Sequence, residues 1–293
     1  MAENARIRGK VVLVTGATAG LGKVTARRLA EMGATVILAG RDPRKTESMV
    51  TRIKNQTGNP NVDYLLADLS SMQQVRDLAA AFRQKYDRLD VLVNNAGAFF
   101  LSRRQSVDGF EMTFALNHLG YFLLTTLLLD MLTNSTPARI VNVSSGAHYQ
   151  GELDFEDLQH QKRRYSPDRA YSDSKLMNVL FTYELAHRLE GSGVIATVLH
   201  PGFVATQFAL TNNRNPMMWV ARKIMNFFAI SEEEGAETQV YLASSPEIEG
   251  VSGKYFEKCR EKHSSSVSYN ESDQRRLWEI SAEMVGLQEQ VPA

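Results

Sequence analysis

The stretch VVLVTGATAGLG, Val11–Gly22, decides the fold of this 293-residue chain. Its first four residues, Val11–Val14, are apolar and rich in β-branched side chains, which predicts a short buried strand. A glycine-rich turn follows at once, and Lys23–Met32 then continues as a helical pattern. A strand, a glycine turn and a helix in this order are typical of the first βα unit of a nucleotide-binding α/β sheet.

Three glycines, Gly16, Gly20 and Gly22, give this turn the spacing G-x-x-x-G-x-G. Glycine lets the backbone turn tightly and approach a pyrophosphate, while the following helix N-terminus offers N–H donors and a favourable dipole. We therefore predict a dinucleotide site at these glycines, with Thr18 and Leu21 between them. A purely structural βα connection is the alternative, which the correctly placed strand and helix make less favourable.

Strand and helix patterns alternate along the rest of the chain. The further predicted strands are Thr35–Ala39, Val62–Ala67, Val91–Val93, Arg139–Val143, Val194–Leu199 and a short one near Tyr255. The further predicted helices are Pro43–Lys54, Met72–Tyr86, Phe110–Leu132, Ala170–Arg188 and Ser272–Val285. Such alternation predicts a parallel sheet covered by helices on both faces. We expect a single Rossmann-type, doubly wound α/β domain over residues 1–293, with about seven strands and a substrate-binding lid at about 203–230.

The composition argues against several classes of protein. Lys+Arg and Asp+Glu both number 33, so the chain lacks the basic balance expected of a nucleic-acid partner. The single cysteine, Cys259, cannot form an internal disulfide and suits a reducing compartment. The first ten residues lack the apolar core of a signal peptide, and no apolar stretch reaches the roughly 18 residues of a membrane span. We expect a cytoplasmic protein with no membrane span and no metal site.

The end of the second predicted strand bears on the choice of nicotinamide cofactor. An acidic residue there would bind the ribose hydroxyls of NAD, whereas an arginine would accommodate the 2′-phosphate of NADP. Gly40 occupies the expected place of the acid and Arg41 follows it, with Arg44 and Lys45 close by. This pattern favours NADP(H) over NAD(H), with Gly40 leaving space for a phosphate. In the alternative interpretation, Arg41 is a solvated charge and Asp42 caps the next helix.

Other strand ends supply further predicted cofactor contacts. Asp68, followed by Leu69, comes after the third strand and can accept a hydrogen bond from the adenine amino group. The small residues of the turn Asn95–Gly97 let the backbone pass close to the adenosine ribose. After the sixth strand, Pro201-Gly202 turns the chain over the nicotinamide, so that Val204 and Thr206 can meet the carboxamide and phosphates. Ordinary turns are the alternative for both glycine-containing motifs.

Tyr171 and Lys175 stand one helical turn apart in AYSDSKLMNVLF. A phenol is a poor acid at neutral pH, with a reference pKa of about 10. A lysine at i+4 lies on the same helix face, and its positive charge lowers the pKa of the phenol. We predict that Tyr171 exchanges a proton while a hydride moves, and that both residues also contact the cofactor.

Two further polar residues complete the predicted catalytic set. Ser145 ends the fifth strand, where a hydroxyl would face the ligand crevice of an open α/β sheet. The adjacent Ser144 is its competitor, and strand alternation directs the two side chains to opposite sides. Asn117 lies inside a long helical pattern and can hold a water that connects Lys175 to solvent; a core amide satisfied by backbone is the alternative.

Taken together, these residues resemble the short-chain dehydrogenase/reductase superfamily. The resemblance spans nearly the whole chain through TGATAGLG, Arg41, Asp68, NNAG (Asn94–Gly97), Asn117, Ser145, Tyr171-x-x-x-Lys175 and Pro201-Gly202. Its retinol dehydrogenase and WW-domain oxidoreductase branch is similar in LNHLGYFLL (Leu116–Leu124), RIVNVSSGAH (Arg139–His148), ELAHRL (Glu184–Leu189), GKYFEKC (Gly253–Cys259) and LWEIS (Leu277–Ser281).

The resemblance implies a role for each catalytic residue. Tyr171 is the general acid/base, Ser145 orients the carbonyl, Lys175 lowers the tyrosine pKa and binds the nicotinamide ribose, and Asn117 holds the relay water. The resemblance also implies a homodimer or homotetramer in which the helices bearing Asn117 and Tyr171 pair across a two-fold. Many retinol dehydrogenases have an N-terminal membrane anchor that this sequence does not show, so we expect a soluble relative.

We expect two segments, Tyr149–Arg169 and Phe203–Ile230, to shape the substrate pocket. The second is rich in methionine and aromatic residues, which suit an adaptable apolar pocket but also fit plain core packing. The predicted function is NADP(H)-dependent interconversion of a lipophilic aldehyde or ketone and its alcohol. The alternatives are an NADP(H)-binding redox sensor without turnover and a C=C reductase similar to protochlorophyllide reductase.

Overall fold

A single eight-stranded sheet forms the centre of the computed structural model, which describes residues 7–202 and 230–287. The strands are β1 (Val11–Thr15), β2 (Thr35–Gly40), β3 (Val62–Leu66), β4 (Val91–Asn94), β5 (Ala138–Val143), β6 (Val194–His200), β7 (Lys254–Glu257) and β8 (Arg260–Lys262). Their order in the sheet is β3-β2-β1-β4-β5-β6-β7-β8. The first seven pair in parallel, as predicted, and β8 adds an antiparallel edge that the sequence reasoning did not foresee.

Helices cover both faces of this sheet. They are α1 (Gly20–Glu31), α2 (Pro43–Thr57), α3 (Met72–Lys85), α4 (Met112–Phe114), α5 (Gly120–Leu127), α6 (Leu129–Asn134), α7 (Pro167–Arg188), α8 (Glu232–Ser244) and α9 (Glu271–Met284). The central strands are buried from both sides; Val12, Leu13 and Val14 have no exposed surface. Burying such a side chain contributes about 1.5–3 kcal/mol, which explains the continuous apolar runs that announced these strands.

The strand order reverses between β1 and β4, because β1 lies between β2 and β4. At such a switch point the connections leave in opposite directions, so a crevice opens beyond the carboxyl ends of the strands. The glycine turn after β1, the Asn95–Gly97 turn after β4 and Ser145 after β5 all lie at this edge. The fold therefore brings the predicted cofactor and catalytic residues to one side of the sheet.

The predicted helix over Phe110–Leu132 is interrupted. A π-helical turn, Ala115–Leu119, separates α4 from α5, and a second break at Leu128 separates α5 from α6. A π-turn adds one residue to the helical ladder, but residues 117–125 are all buried, so no polar face marks the shift and periodicity alone could not reveal it. The turn contains Asn117, and π-turns are frequent at functional sites.

The C-terminal helix α9 packs on α5 and α7. The Trp278 ring lies 4.9 Å from the Phe122 ring and 5.8 Å from the Phe181 ring, and the Arg188 guanidinium sits 4.4 Å above Trp278. Leu277 and Trp278 are both buried. Part of the outer surface of α5 and α7 is therefore covered by the chain itself.

Across residues 7–202 and 230–287, no helix has the length and apolar character needed to cross a membrane. The predicted lid lies outside the described residues except for Ile230.

Candidate active site

Packing fixes the glycine turn after β1. Gly16 has a φ of +65°, and a Cβ placed on it would stand 2.8 Å from the Cα of Ala96. A Cβ on Gly22 would stand 2.4 Å from Nδ2 of Asn95 and 2.5 Å from the carbonyl oxygen of Gly16. Both positions therefore need glycine, the first for its backbone conformation as well as its size.

Asn95 fastens the turn to β4. Its backbone N–H donates to Oγ1 of Thr15 at 2.8 Å, and its side-chain amide donates to the carbonyl oxygen of Thr15 at 2.9 Å. Gln239 on α8 in turn donates to Oδ1 of Asn95 at 3.3 Å and accepts a hydrogen bond from Thr25 on α1. The sequence singled out Asn95 but missed Gln239, because its partner lies 144 residues away.

The N-terminus of α1 lacks a side-chain cap, since its N-cap residue is Ala19. Other helices begin with a capping side chain: Asp42 for α2, Ser71 for α3, Ser166 for α7, Ser231 for α8 and Asn270 for α9. Uncapped N–H groups beside two sterically required glycines suit an anionic group such as a diphosphate. The residues present thus fit a dinucleotide.

The second strand runs one residue further than predicted, to Gly40, with Arg41 exposed beyond it. Asp42 accepts a hydrogen bond from the N–H of Lys45 and caps α2, as the alternative interpretation expected. Packing requires glycine at position 40, because a Cβ there would lie 2.4 Å from Oγ1 of Thr46 and 2.9 Å from Cγ2 of Thr18. The space for a phosphate beside Gly40 stays a prediction.

The other predicted cofactor residues lie at the same edge. Asp68 is partly exposed, and its Oδ1 accepts hydrogen bonds from the backbone and hydroxyl of Ser70, while Leu69 is buried. Pro201 and Gly202 follow β6 and are both partly exposed. Val204 and Thr206 lie outside the described residues.

Lys175 is buried among the ends of β4, β5 and α7, with 2% of its surface exposed. Its Nζ donates to the carbonyl oxygen of Val143 at 3.1 Å and lies 5.7 Å from the centre of the Tyr171 ring. Burial disfavours the ammonium form and lowers the pKa of Lys175 to about 7. The group can therefore change its charge near neutral pH.

Tyr171 departs from the expectation for its acidity. Burial raises the pKa of Tyr171 to about 12, and the hydrogen bond with the Ser145 side chain opposes this shift. The sequence reasoning expected Lys175 to lower this pKa. In the structure, the desolvation of the phenolate raises the pKa of Tyr171 by more than the charge of Lys175 lowers it.

The two adjacent serines at the end of β5 point in different directions, as strand alternation predicted. Ser144 is buried and donates to the backbone carbonyl of Lys175 at 2.7 Å, which ties β5 to α7. Ser145 is partly exposed, hydrogen-bonds Tyr171 and accepts the N–H of Ala147 at 3.2 Å. Ser145 is therefore the serine that faces the phenol.

Asn117 lies next to Lys175. A Cβ on Gly97 would be 3.2 Å from Oδ1 of Asn117 and 3.5 Å from Nζ of Lys175, which places both groups against the same backbone. The amide exchanges hydrogen bonds with the backbone of Ala98 at 2.8 and 3.0 Å and donates to Ser174 at 3.1 Å. These bonds correspond to the alternative of a backbone-satisfied amide, and the relay role stays a prediction.

Phe99 is a site residue that the sequence reasoning missed. Its ring meets the Tyr171 ring edge-on, with the centres 5.6 Å apart, and it is partly exposed. The available signal was the pair of phenylalanines directly after the turn Asn95–Gly97. Phe99 gives the described wall beside the phenol an apolar character.

Comparison with known proteins agrees with this fold. The profile of the short chain dehydrogenase family matches residues 10–217, and the chain belongs to that family. It is 45% identical to retinol dehydrogenase 13 from Mus musculus over 286 residues, which cover 97% of this chain and 86% of that protein. The predicted superfamily and its retinol dehydrogenase-like branch are thereby confirmed.

Solved structures show the same architecture. A crystal structure of an uncharacterized protein from Mycobacterium paratuberculosis is 34% identical and superposes with a TM-score of 0.78 over 98% of both chains. The Pseudomonas aeruginosa RhlG/NADP active-site complex is 27% identical, with a TM-score of 0.71 over 87% of this chain and 97% of its own. The predicted Rossmann-type fold is confirmed.

Proposed function

We propose that this protein is an NADP(H)-dependent oxidoreductase that interconverts a lipophilic aldehyde or ketone and its alcohol. One observation carries the proposal: Tyr171, Ser145 and Lys175 meet at the carboxyl edge of the sheet, beside the uncapped N-terminus of α1. A proton donor and an anion-binding turn at one edge are what a hydride transfer to a carbonyl requires.

The residues of this chain handle the proton and the orientation of the carbonyl. When bound at the glycine turn, the nicotinamide cofactor supplies or accepts the hydride. In reduction, the Tyr171 hydroxyl donates its proton to the carbonyl oxygen as the carbon gains the hydride; in oxidation it takes the proton back. Ser145 holds that oxygen beside the phenol. Lys175 in its charged form stabilises the phenolate left on Tyr171.

Preference for NADP(H) rests on the end of β2. Within residues 7–202 and 230–287, Arg41 makes no hydrogen bond or ion pair, so its guanidinium is available to a 2′-phosphate. The RhlG structure is an NADP complex, which supports the same choice. Packing against Thr46 excludes an acidic side chain at Gly40 without excluding the phosphate from Arg41.

An apolar substrate is supported by Phe99 beside Tyr171 and by the relatives' names. The similar proteins are retinol dehydrogenases, and an isoprenoid aldehyde is one member of the lipophilic carbonyls we propose. An aromatic side chain such as Phe99 contributes to binding through the apolar area that it buries against the substrate. It excludes small polar carbonyl compounds only weakly.

The test is oxidation of NADPH and of NADH by the purified protein with a panel of carbonyls, from small polar aldehydes to long apolar ones. We expect turnover with NADPH well above NADH, rising with the length of the apolar chain. NADPH binding without turnover on any carbonyl would contradict the proposal and favour the redox-sensor alternative. Turnover that does not depend on apolar length would overturn the substrate class alone.

Assembly is a separate part of the proposal. The homodimer or homotetramer expected from the resemblance pairs the helices that carry Asn117 and Tyr171, but α9 covers part of the outer surface of α5 and α7. We propose a homodimer or homotetramer that uses a surface left uncovered by α9, and sedimentation equilibrium measures its mass. The single-domain organisation and cytoplasmic location predicted from the sequence belong to the same proposal.

A further inference from the structure

His148 lies in the 3₁₀ turn Gly146–Gln150 that follows Ser145, and its side chain is completely buried. Its Nδ1 is 2.7 Å from the carbonyl oxygen of Ser145, and its Nε2 is 3.1 Å from the backbone nitrogen of Ser265. A carbonyl can only accept and a backbone N–H can only donate. The ring is therefore neutral, with its proton on Nδ1 and a lone pair on Nε2, and burial lowers its pKa in the same sense.

The segment that holds the other side of this ring is itself anchored. Ser264 exchanges hydrogen bonds with Tyr183 of α7 at 2.6 Å and with Ser268 at 2.7 Å. The hydroxyl of Tyr149 donates to the carbonyl oxygen of His263 at 2.6 Å. Residues 263–269 thus form a fixed support that lies more than 110 residues from Ser145 in the sequence. The imidazole of His148 links this support to Ser145 by hydrogen-bonding both.

We propose that His148 is a positioning residue for Ser145, holding the serine backbone against residues 263–269 so that the hydroxyl stays on Tyr171. The inference rests on the proposed function, in which Ser145 orients the carbonyl. The geometry gives the reason. Ser145 is extended, with φ −158° and ψ 158°, and the 3₁₀ turn begins directly after it, so the direction of its side chain follows the orientation of that turn.

The first experiment compares His148→Phe with the parent protein. Phenylalanine keeps the packing against Tyr149 and Tyr255, whose rings lie 4.0 and 4.9 Å away, but removes both hydrogen bonds. We expect kcat to fall by about tenfold or more, since small misplacements of reacting groups cost up to about 100-fold. The Kd for NADPH, which Ser145 does not set, should stay within about twofold of the parent value.

A pH profile separates positioning from general loss of structure. The Ser145 hydrogen bond lowers the pKa of Tyr171, so a displaced serine should move the rising limb of alcohol oxidation to higher pH. The titratable groups facing His148, which are Tyr149, Tyr255 and His200, remain in the variant. His148 itself titrates below its ordinary pKa, so its loss does not move an alkaline limb.

Two conservative variants keep the test decisive if His148→Phe does not fold. His148→Asn retains a donor at the position of Nδ1, whereas His148→Gln retains an acceptor at the position of Nε2. We expect the asparagine variant to keep more kcat than the glutamine variant, because only its side chain adds a donor for the Ser145 carbonyl to the backbone N–H of residue 148 at 3.0 Å. Equal kcat values, or the reverse order, would contradict the proposal.

Tyr183→Phe is the matched control, because it removes one hydroxyl from the support but leaves both bonds of His148. We expect a lower Tm with kcat within about twofold of the parent.

Ser145→Ala distinguishes failure of the proposed role of Ser145 from failure of the positioning role of His148. If Ser145→Ala keeps full kcat, the proposed role of the serine fails. If Ser145→Ala loses kcat while His148→Phe keeps both kcat and the alkaline limb, the positioning role of His148 fails.

Discussion

The glycine turn after β1 and the N-terminal half of α7, which carries Tyr171 and Lys175, lie at the same edge of the sheet. Different interactions determine the two regions. At the turn, close contacts and neutral hydrogen bonds fix the backbone: Gly16 and Gly22 have no room for a Cβ, and Asn95 ties the turn to β4. At α7, the buried Lys175 lies beside the partly exposed Tyr171, and desolvation lowers the pKa of Lys175 and raises that of Tyr171.

This difference means that binding and chemistry are carried by separable parts. The turn is preformed by packing, so a change there should alter cofactor affinity and leave the proton chemistry intact. In α7, desolvation disfavours the charged forms of Tyr171 and Lys175. A change there should alter turnover and pH dependence and leave cofactor affinity largely intact.

The largest effect should come from Tyr171→Phe, which keeps the ring beside Phe99 and removes only the hydroxyl. We expect kcat to fall by about 1,000-fold, within the range that general acid/base catalysis contributes, with NADPH affinity changed by less than about threefold. Stopped-flow turnover and NADPH fluorescence titration measure the two quantities. Tyr86→Phe, which removes a hydroxyl bonded to Asp63 far from the site, serves as control and should retain kcat.

Gly22→Ala should have the opposite signature. The added Cβ meets backbone and amide atoms at 2.4 and 2.5 Å, so the turn must shift, at a cost of about 1–3 kcal/mol. We expect the Kd for NADPH to rise by about 100-fold, with the alkaline limb of the pH profile unmoved. Gly58→Ala is the control, because a Cβ there meets nothing within 4 Å; its φ of +67° should cost about 1 kcal/mol of stability and leave the Kd unchanged. Similar Kd values for both variants would refute the steric account.

The sequence predicted most of the fold and the identity of the site, for identifiable reasons. Seven strands were found because parallel strands buried on both faces are continuous apolar runs. Strand alternation predicted that Ser144 and Ser145 point to opposite sides, and the cap at Asp42 belonged to the alternative interpretation of the second strand end. What escaped prediction depends on how the folded chain packs.

Three examples show which features stay hidden from a sequence pattern. The requirement for glycine at position 40 comes from Thr46 and Thr18, and only the folded chain shows how near they are. The π-turn around Asn117 precedes a stretch that is buried on every side, so no polar face shows the shift that it causes. The raised pKa of Tyr171 comes from burial, which the i+4 spacing of Lys175 does not reveal.

Lys175→Met tests how much the burial of the lysine charge lowers the stability of the folded protein. The unfolded chain holds the lysine proton up to a pKa near 10.5, whereas the folded protein releases it near pH 7. Between these values the unfolded state binds more protons, so the parent protein gains stability as pH rises from 7 to 10.5. We expect Lys175→Met to be more stable than the parent protein at pH 6.5 by about 2 kcal/mol, with this advantage shrinking by pH 9.5. Urea unfolding at both pH values measures it, and an advantage independent of pH would contradict the buried-charge account.

We expect the smallest effect from Arg41, the charged side chain that we assign to the 2′-phosphate of the cofactor. Arg41 is exposed and unpaired among residues 7–202 and 230–287, so Arg41→Ala should leave the free energy of unfolding unchanged. A guanidinium contributes about 1.5–3 kcal/mol to a charge-assisted bond, less when solvated, so we expect the Kd for NADPH to rise by about tenfold. The Kd for NADH, which lacks the 2′-phosphate, should not change. Arg44→Ala removes an equally exposed arginine in the first turn of α2 and should weaken NADPH by less than about twofold. If both variants weakened NADPH and NADH alike, recognition would come from the general positive field around α2 rather than from a 2′-phosphate contact at Arg41, because a field effect does not distinguish neighbouring arginines.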